Sequence, residues 1–111
     1  MDNGIATALQ PIRARFLRLL QDHQIAIQSD LELAIASPDQ ANQALTRIAA
    51  VLHKIAGTAG TLGFGKLGEH AREVEYQITE ADLEQTQLLN DIYFVIIDFL
   101  EVTLDASQEA A

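Results

Sequence analysis

The chain has no cysteine and no tryptophan among its 111 residues. The lack of cysteine removes disulfides, thiolate nucleophiles and zinc–cysteine sites together, and it suits a reducing compartment. Proline is limited to two residues and glycine to six, so breaker signals are few. Positive charge is scarce as well: seven basic residues stand against sixteen acidic ones, a net charge of −9. Neutralising phosphates needs clustered Lys and Arg, so nucleic acids and anionic membrane surfaces are poor partners. Aromatic residues make up 5%, which leaves little for stacking on bases. No apolar run is long enough for membrane insertion, because the most apolar stretch, Leu88 to Leu104, carries Asp91, Asp98 and Glu101. Met1-Asp2-Asn3-Gly4 is not a basic start ahead of an apolar run, so no secretory leader is expected and a cytoplasmic location is.

What is present is core-forming material. Hydrophobic residues are 49% of a 12.1 kDa chain, and a chain of this size buries roughly two-thirds of its unfolded surface. Charged residues at 21%, with no low-complexity run, argue against disorder. One domain over residues 1–111 is expected.

Apolar residues recur every three or four positions, and no period-two strand stands out. A first helix is expected from about Pro11, a good first-turn residue, to Ala36. Its apolar line is Ile12, Phe16, Leu19 or Leu20, Ile27, Leu31 and Ile35. Residues 1–9 either form a short extra turn carrying Ile5 and Leu9 or fray. Ser37, Pro38 and Gln40 read as a capped start for a second helix, with Ser37 and Gln40 at capping-box spacing. That helix buries Ala41, Leu45, Ile48, Leu52, Ile55, Ala59 and Leu62, and Gly63 and Gly65 end it. A third helix follows at once from about Lys66 to Ile78, with Leu67, Ala71, Val74 and Ile78 inward. The link is so short that the second and third helices must be antiparallel neighbours. After a loose turn signal at Thr79 to Asp82, a fourth helix starts at Leu83 or Thr86 and runs to Asp105, with Leu89, Ile92, Ile96 and Phe99 inward. The fold class is therefore all-α: an antiparallel up-down four-helix bundle, with room for a short extra N-terminal helix.

Three histidines are the only groups that ordinarily titrate near neutrality. His23 reads as a boundary residue packed by its ring, and His70 as a solvated surface residue between Glu69 and Glu73. His53 is set apart by its neighbours. It follows the core residue Leu52, about 100° round the helix, which places it on an exposed or half-exposed flank. Gly57 and Gly60 share that flank, although each costs a helix interior about 1 kcal/mol relative to alanine. Bare backbone there gives a second protein room to approach the ring. Between Gln40 and Gly68 there is no acidic residue, while Arg47, Lys54 and Lys66 are present, with Arg72 soon after. Such a positive neighbourhood favours a phosphoryl group or an acidic partner, or is ordinary surface charge. Glu75 follows core Val74 as His53 follows core Leu52, so a hairpin brings both to one flank. A carboxylate accepting from the imidazole N–H would fix the tautomer and leave the other nitrogen nucleophilic; a plain surface contact is the bland alternative.

Two other chemistries are weak. Gly60 to Lys66 fits seven places of a phosphate-binding loop, but Leu67 stands where Ser or Thr should hold magnesium, and a helix rather than a strand precedes it. No two histidines are four apart with a carboxylate set, so metal ligation is not expected.

The segment His53-Lys54-Ile55-Ala56-Gly57-Thr58-Ala59-Gly60-Thr61-Leu62-Gly63-Phe64 resembles the phosphoacceptor motif of histidine phosphotransfer (HPt) domains, with Leu67, Ala71 and Val74-Glu75 continuing the pattern. The stretch Ala59 to Phe64 looks especially like the phosphoacceptor domain of chemotaxis histidine kinases. The resemblance implies His53 as phosphoacceptor, Glu75 as hydrogen-bond partner of its ring, and Gly57 as the clearance position for a docking partner. The lysine usual to the family is replaced by Ala56; Lys54 is a candidate for electrostatic support, but it points about 160° away from that position, so the expected cation is otherwise missing or supplied by the partner. The implied role is a phosphorelay intermediate: a histidine kinase catalytic domain loads His53, and the aspartate of a response-regulator receiver domain takes the group. Such a module is not a self-sufficient enzyme; it needs no cofactor of its own, and Mg²⁺ is expected on the partner. It stands alone or forms part of a larger kinase, and a monomer suits it. The rival from another class is a helical adaptor or dimerisation module in which the glycines are packing contacts and His53 is incidental; a nucleotide-binding loop is a third.

Overall fold

A computed structural model of the chain describes residues 3–81 and 86–109. Four helices follow one another: α1 (Asn3–Ala36), α2 (Ala41–Ala59), α3 (Gly65–Glu80) and α4 (Thr86–Glu109). Short 3₁₀ turns at Pro38–Gln40 and Gly60–Leu62 introduce and extend α2. Contacts run α1 to α2, α2 to α3, α3 to α4 and α4 back to α1, and they are densest between α2 and α3. This is the up-down bundle expected from the periodicity.

The cores of α2 and α3 are where they were expected. Ala41, Leu45, Ile48, Leu52, Ile55, Ala59 and Leu62 are all buried, as are Leu67, Ala71, Val74 and Ile78. All of them but Ala41 meet Phe16, Leu20, Ile27 and Leu31 from α1 and Ile92, Ile96 and Phe99 from α4 in one core cluster, with Leu89 packed against it, while Ala41 packs with Ala34 and Ala44 in a second, smaller one.

α1 departs from expectation at both ends. It begins at Asn3, so Pro11 lies inside it rather than in its first turn, and the described residues before Pro11 belong to α1 rather than to a separate short helix. The preceding Ala6, Ala8, Leu9 and Gln10 are strong helix formers, which lets the helix continue through the proline. The side chains of Ile5 and Leu9, and all of Asp82 and Leu83, lie outside the described residues. Ile12, Leu19 and Ile35 are exposed, while Leu20 and Ala34 are buried. Repeated four-residue steps drift about 40° each around a helix, so Ile12 and Ile35 rotate off the face that Phe16, Leu20, Ile27, Leu31 and Ala34 keep.

The expected capping box is absent. Ser37 makes no side-chain cap; its N–H donates to Leu33 O at 2.8 Å and its carbonyl accepts from Gln40 N–H at 2.8 Å. Pro38 drives a tight 3₁₀ turn, and main-chain bonds do the work the hydroxyl was expected to do.

Candidate functional site

The α2–α3 hairpin positions the site. Gly63 is the described residue with a left-handed backbone, φ +91°, which L side chains rarely adopt. Phe64 N–H donates back to Ala59 O at 2.9 Å, and Gly68 N–H to Phe64 O at 3.0 Å, so α2 ends and α3 begins within one tight reversal. Gly65, expected as part of the terminator, is the first residue of α3. Phe64 stacks on Phe16 of α1 at 5.3 Å between ring centres, and Arg13 lies 5.0 Å over the same ring, pinning the turn to the bundle.

Gly68 sits where the two helices run close together. It is buried, and an added Cβ would stand 3.5 Å from Ala59 Cβ, 3.5 Å from Gly60 N and 3.6 Å from Ala56 O. A Cβ fits there in ordinary van der Waals contact, and a side chain longer than alanine has no such room. Sequence reading passed over this glycine, whose only signal was a small residue on the α2-facing flank of a strongly periodic helix.

With that register, His53 and Glu75 meet. His53 Nδ1 lies 3.0 Å from Glu75 Oε2 and 3.3 Å from Oε1. A carboxylate can only accept, so Nδ1 carries the proton and donates, and the lone pair of the neutral ring is on Nε2. The burial is asymmetric: the His53 side chain is 77% exposed and that of Glu75 23%. The acid is held inside the seam, and it holds the ring out in water.

The rest of the flank is open. An added Cβ at Gly57 or Gly60 would meet nothing within 4 Å. Among the described residues, nothing fills the side-chain position of either glycine. Ala56 is buried in the α2–α3 seam. Lys54 lies on the other side of His53, toward α1, where it lines a hollow of about 160 Å³ with Ile12, Arg15, Leu19, His23 and Thr58. Burial first, then the nearby Lys54 ammonium, lowers the His23 pKa below its usual 6.5, and Asp22 partly offsets both. Arg47 is engaged elsewhere, its Nε and Nη2 donating to Asp30 Oδ1 of α1 at 3.0 and 2.8 Å.

His70 is not the solvated residue it was read to be. Its side chain is 31% exposed, its ring meets Phe99 edge-on at 5.4 Å, and Nε2 lies 3.8 Å from Asp98 Oδ2. The cause is a non-local neighbour on α4 that periodicity in α3 cannot reveal. The glycine-rich segment after α2 makes no phosphate cradle. It is a 3₁₀ turn and a left-handed reversal between two helices, and Asp105 borders the hollow beside Gly63 to Leu67.

A four-helix bundle that displays one imidazole, tethered from inside by a carboxylate and flanked by bare backbone, defines a histidine-presenting helical module. The Hpt domain family matches the chain over residues 12–110, and the chain belongs to that family. Hpt domains are phosphocarrier modules in the phosphotransfer relays of two-component signalling, with kinases and receiver domains as their general partners. No curated protein and no solved structure matches the chain. Among the described residues no helix is long and apolar enough to cross a membrane.

Proposed function

We propose that His53 is the phosphoacceptor of this module, loaded by a histidine kinase catalytic domain and unloaded by the aspartate of a response-regulator receiver domain. The observation that carries the reading is the tethered, exposed ring: Nδ1 is 3.0 Å from Glu75, and 77% of the side chain faces solvent. In the loading step the Nε2 lone pair attacks the γ-phosphorus of ATP held by the kinase. The N–P bond forms as the bond to the β,γ-bridging oxygen breaks, and ADP leaves. The ring keeps its Nδ1 proton and gains positive charge, which the Glu75 carboxylate offsets. In the second step a carboxylate oxygen of the receiver attacks the phosphorus, the N–P bond breaks, and the electron pair returns to Nε2. No proton enters or leaves the ring in either step. The module contributes position and electrostatics, and Mg²⁺ sits in the receiver's acidic pocket.

The receiver docks on the α1–α2 face. There the exposed Ile12 and Leu19 border a hollow whose other walls include Arg15, His23 and Lys54. An apolar centre with a cationic rim suits an acidic partner and gives Lys54 a docking role. Gly57 and Gly60 leave the approach to the ring clear. Incubation with a kinase and ATP should give acid-labile, base-stable phosphate on the wild-type protein and none on His53→Gln. Label that survives in the variant would place the site elsewhere.

The adaptor or dimerisation reading draws support from a different face. Ile35, Phe94 and Ile97, all exposed, border an apolar hollow between α1 and α4, away from His53. A concentration-dependent mass in sedimentation, together with no label on His53, would favour it.

A further inference from the structure

We infer that Arg72 supplies the positive charge that holds the phosphoryl group on His53, reaching it from α3 over the seam beside Ala56. The inference rests on the phosphotransfer reading and names the group that reading leaves out. A phosphoryl group on Nε2 sets a second negative group beside the Glu75 carboxylate, in a chain of net charge −9. Loading is opposed unless a cation stands on the same flank.

On the side of His53 that faces α3, the basic residues of α2 and α3 leave one candidate. Along α2, Arg47 and Lys54 stand about 120° and 100° round from His53 on the side facing α1. Their partners agree with that placement: Arg47 is bound to Asp30, and Lys54 lines the hollow with His23. Ala56, on the side facing α3, is buried and uncharged. Lys66 borders the hollow at the start of α3, by the turn.

Arg72 is placed by the register of the hairpin. His53 faces Glu75 at one end of the seam, and Gly68 faces Ala56, Ala59 and Gly60 at the other. Arg72 lies between Gly68 and Glu75 in the chain, so it stands opposite residues 56 and 57. It is three residues from Glu75, which puts both on one flank, about 4.5 Å apart along the helix axis. It is exposed, and among the described residues it has no ion pair or hydrogen bond. Ala56, the α2 residue on that side of His53, is small and buried, so no long α2 side chain stands between Arg72 and the ring. A guanidinium that arrives there can donate two bonds to phosphoryl oxygens, which an ammonium donating as a point charge matches less well.

The test loads the purified chain with phosphoramidate, an anionic donor that needs no kinase, and follows phosphohistidine by ³¹P NMR at several salt concentrations. Arg72→Gln should slow loading about five- to tenfold and flatten its dependence on salt, the size expected for one lost charge-assisted contact. Arg72→Lys should recover most of the rate, and Lys66→Gln, which removes the same charge from the same helix, should leave it within about twofold of wild type. Wild-type rate and salt dependence in Arg72→Gln, or an equal loss in Lys66→Gln, would overturn the role of Arg72 while leaving His53 as phosphoacceptor. A wild-type protein that takes no phosphoryl group on His53 would overturn both.

Discussion

His53 and His70 each face a carboxylate on the neighbouring helix, and the two pairs are built the opposite way round. In the first, the acid is held in the seam and the ring stands in water, with a 3.0 Å contact between them. In the second, the ring is packed against Phe99 and the acid stands in water, 3.8 Å away and beyond hydrogen-bond range. A fixed acid can orient a mobile ring and leave its far nitrogen free. A mobile acid at that distance orients nothing, and the ring serves instead as packing surface. One pair can present a nucleophile while the other holds two helices together, and the difference lies in which partner is buried.

The sharpest way to break this comparison is to remove each ring in turn. His53→Gln should abolish phosphohistidine formation altogether and leave the urea midpoint close to wild type, because the ring is largely solvated. His70→Gln should still be labelled. If His70→Gln lost the label and His53→Gln kept it, the assignment of roles would be reversed. Exchanging the acids is the next test. Glu75→Gln keeps an acceptor for Nδ1 but loses the charge that offsets a phosphorylated ring, so loading should fall about tenfold. Asp98→Asn should change loading by less than about twofold.

Stability should sort the pairs in the other direction. His70→Ala removes a ring from the edge of Phe99 and should cost about 1–2 kcal/mol in urea denaturation, where His53→Ala should cost about 0.5 kcal/mol or less. Gly57→Ala extends the same contrast to the backbone. Open space around that position predicts a gain of about 0.5–1 kcal/mol from helix propensity alone. If the bare surface exists for a visitor, the same variant should slow transfer to a receiver domain more than it slows loading from phosphoramidate. A variant that gains stability and transfers normally would remove the clearance argument.

Much of the bundle could be read from periodicity alone. Every expected inward residue of α2 and α3 is buried, because these helices pack on neighbours along their whole length and an unbroken three-or-four spacing tracks one face. α1 was legible only in its middle. At 34 residues it outruns α2 and α3, and the fixed four-residue steps drift off its inward face, so Ile12 and Ile35 were misjudged. The meeting of His53 and Glu75 could be anticipated because each follows a core residue and a short reversal joins their helices. Three features could not be read this way: two depend on residues of another helix, and the third on which of two local arrangements the chain adopts. Gly68 is explained only by Ala56, Ala59 and Gly60 across the seam, His70 by Phe99, and the missing Ser37 cap by the turn that Pro38 imposes.

His23 gives the comparison a third and weakest member, a ring next to a cation instead of a carboxylate. Burial and Lys54 lower its folded pKa below 6.5, the value it returns to on unfolding. A base whose pKa is lower when folded binds protons more readily in the unfolded chain as pH falls, so stability is full above about 6.5 and declines as pH drops through the unfolded and then the folded value. In His23→Gln the decline contributed by this residue should vanish, leaving a shallower acid limb in a series of urea midpoints from pH 7.5 to 5. Lys54→Met should flatten the same limb only in part, because desolvation is the larger of the two causes. If Lys54→Met flattened it as fully as His23→Gln, the hollow between α1 and α2 would be governed by charge rather than burial, and its apolar residues would lose their claim to be the centre of the docking face.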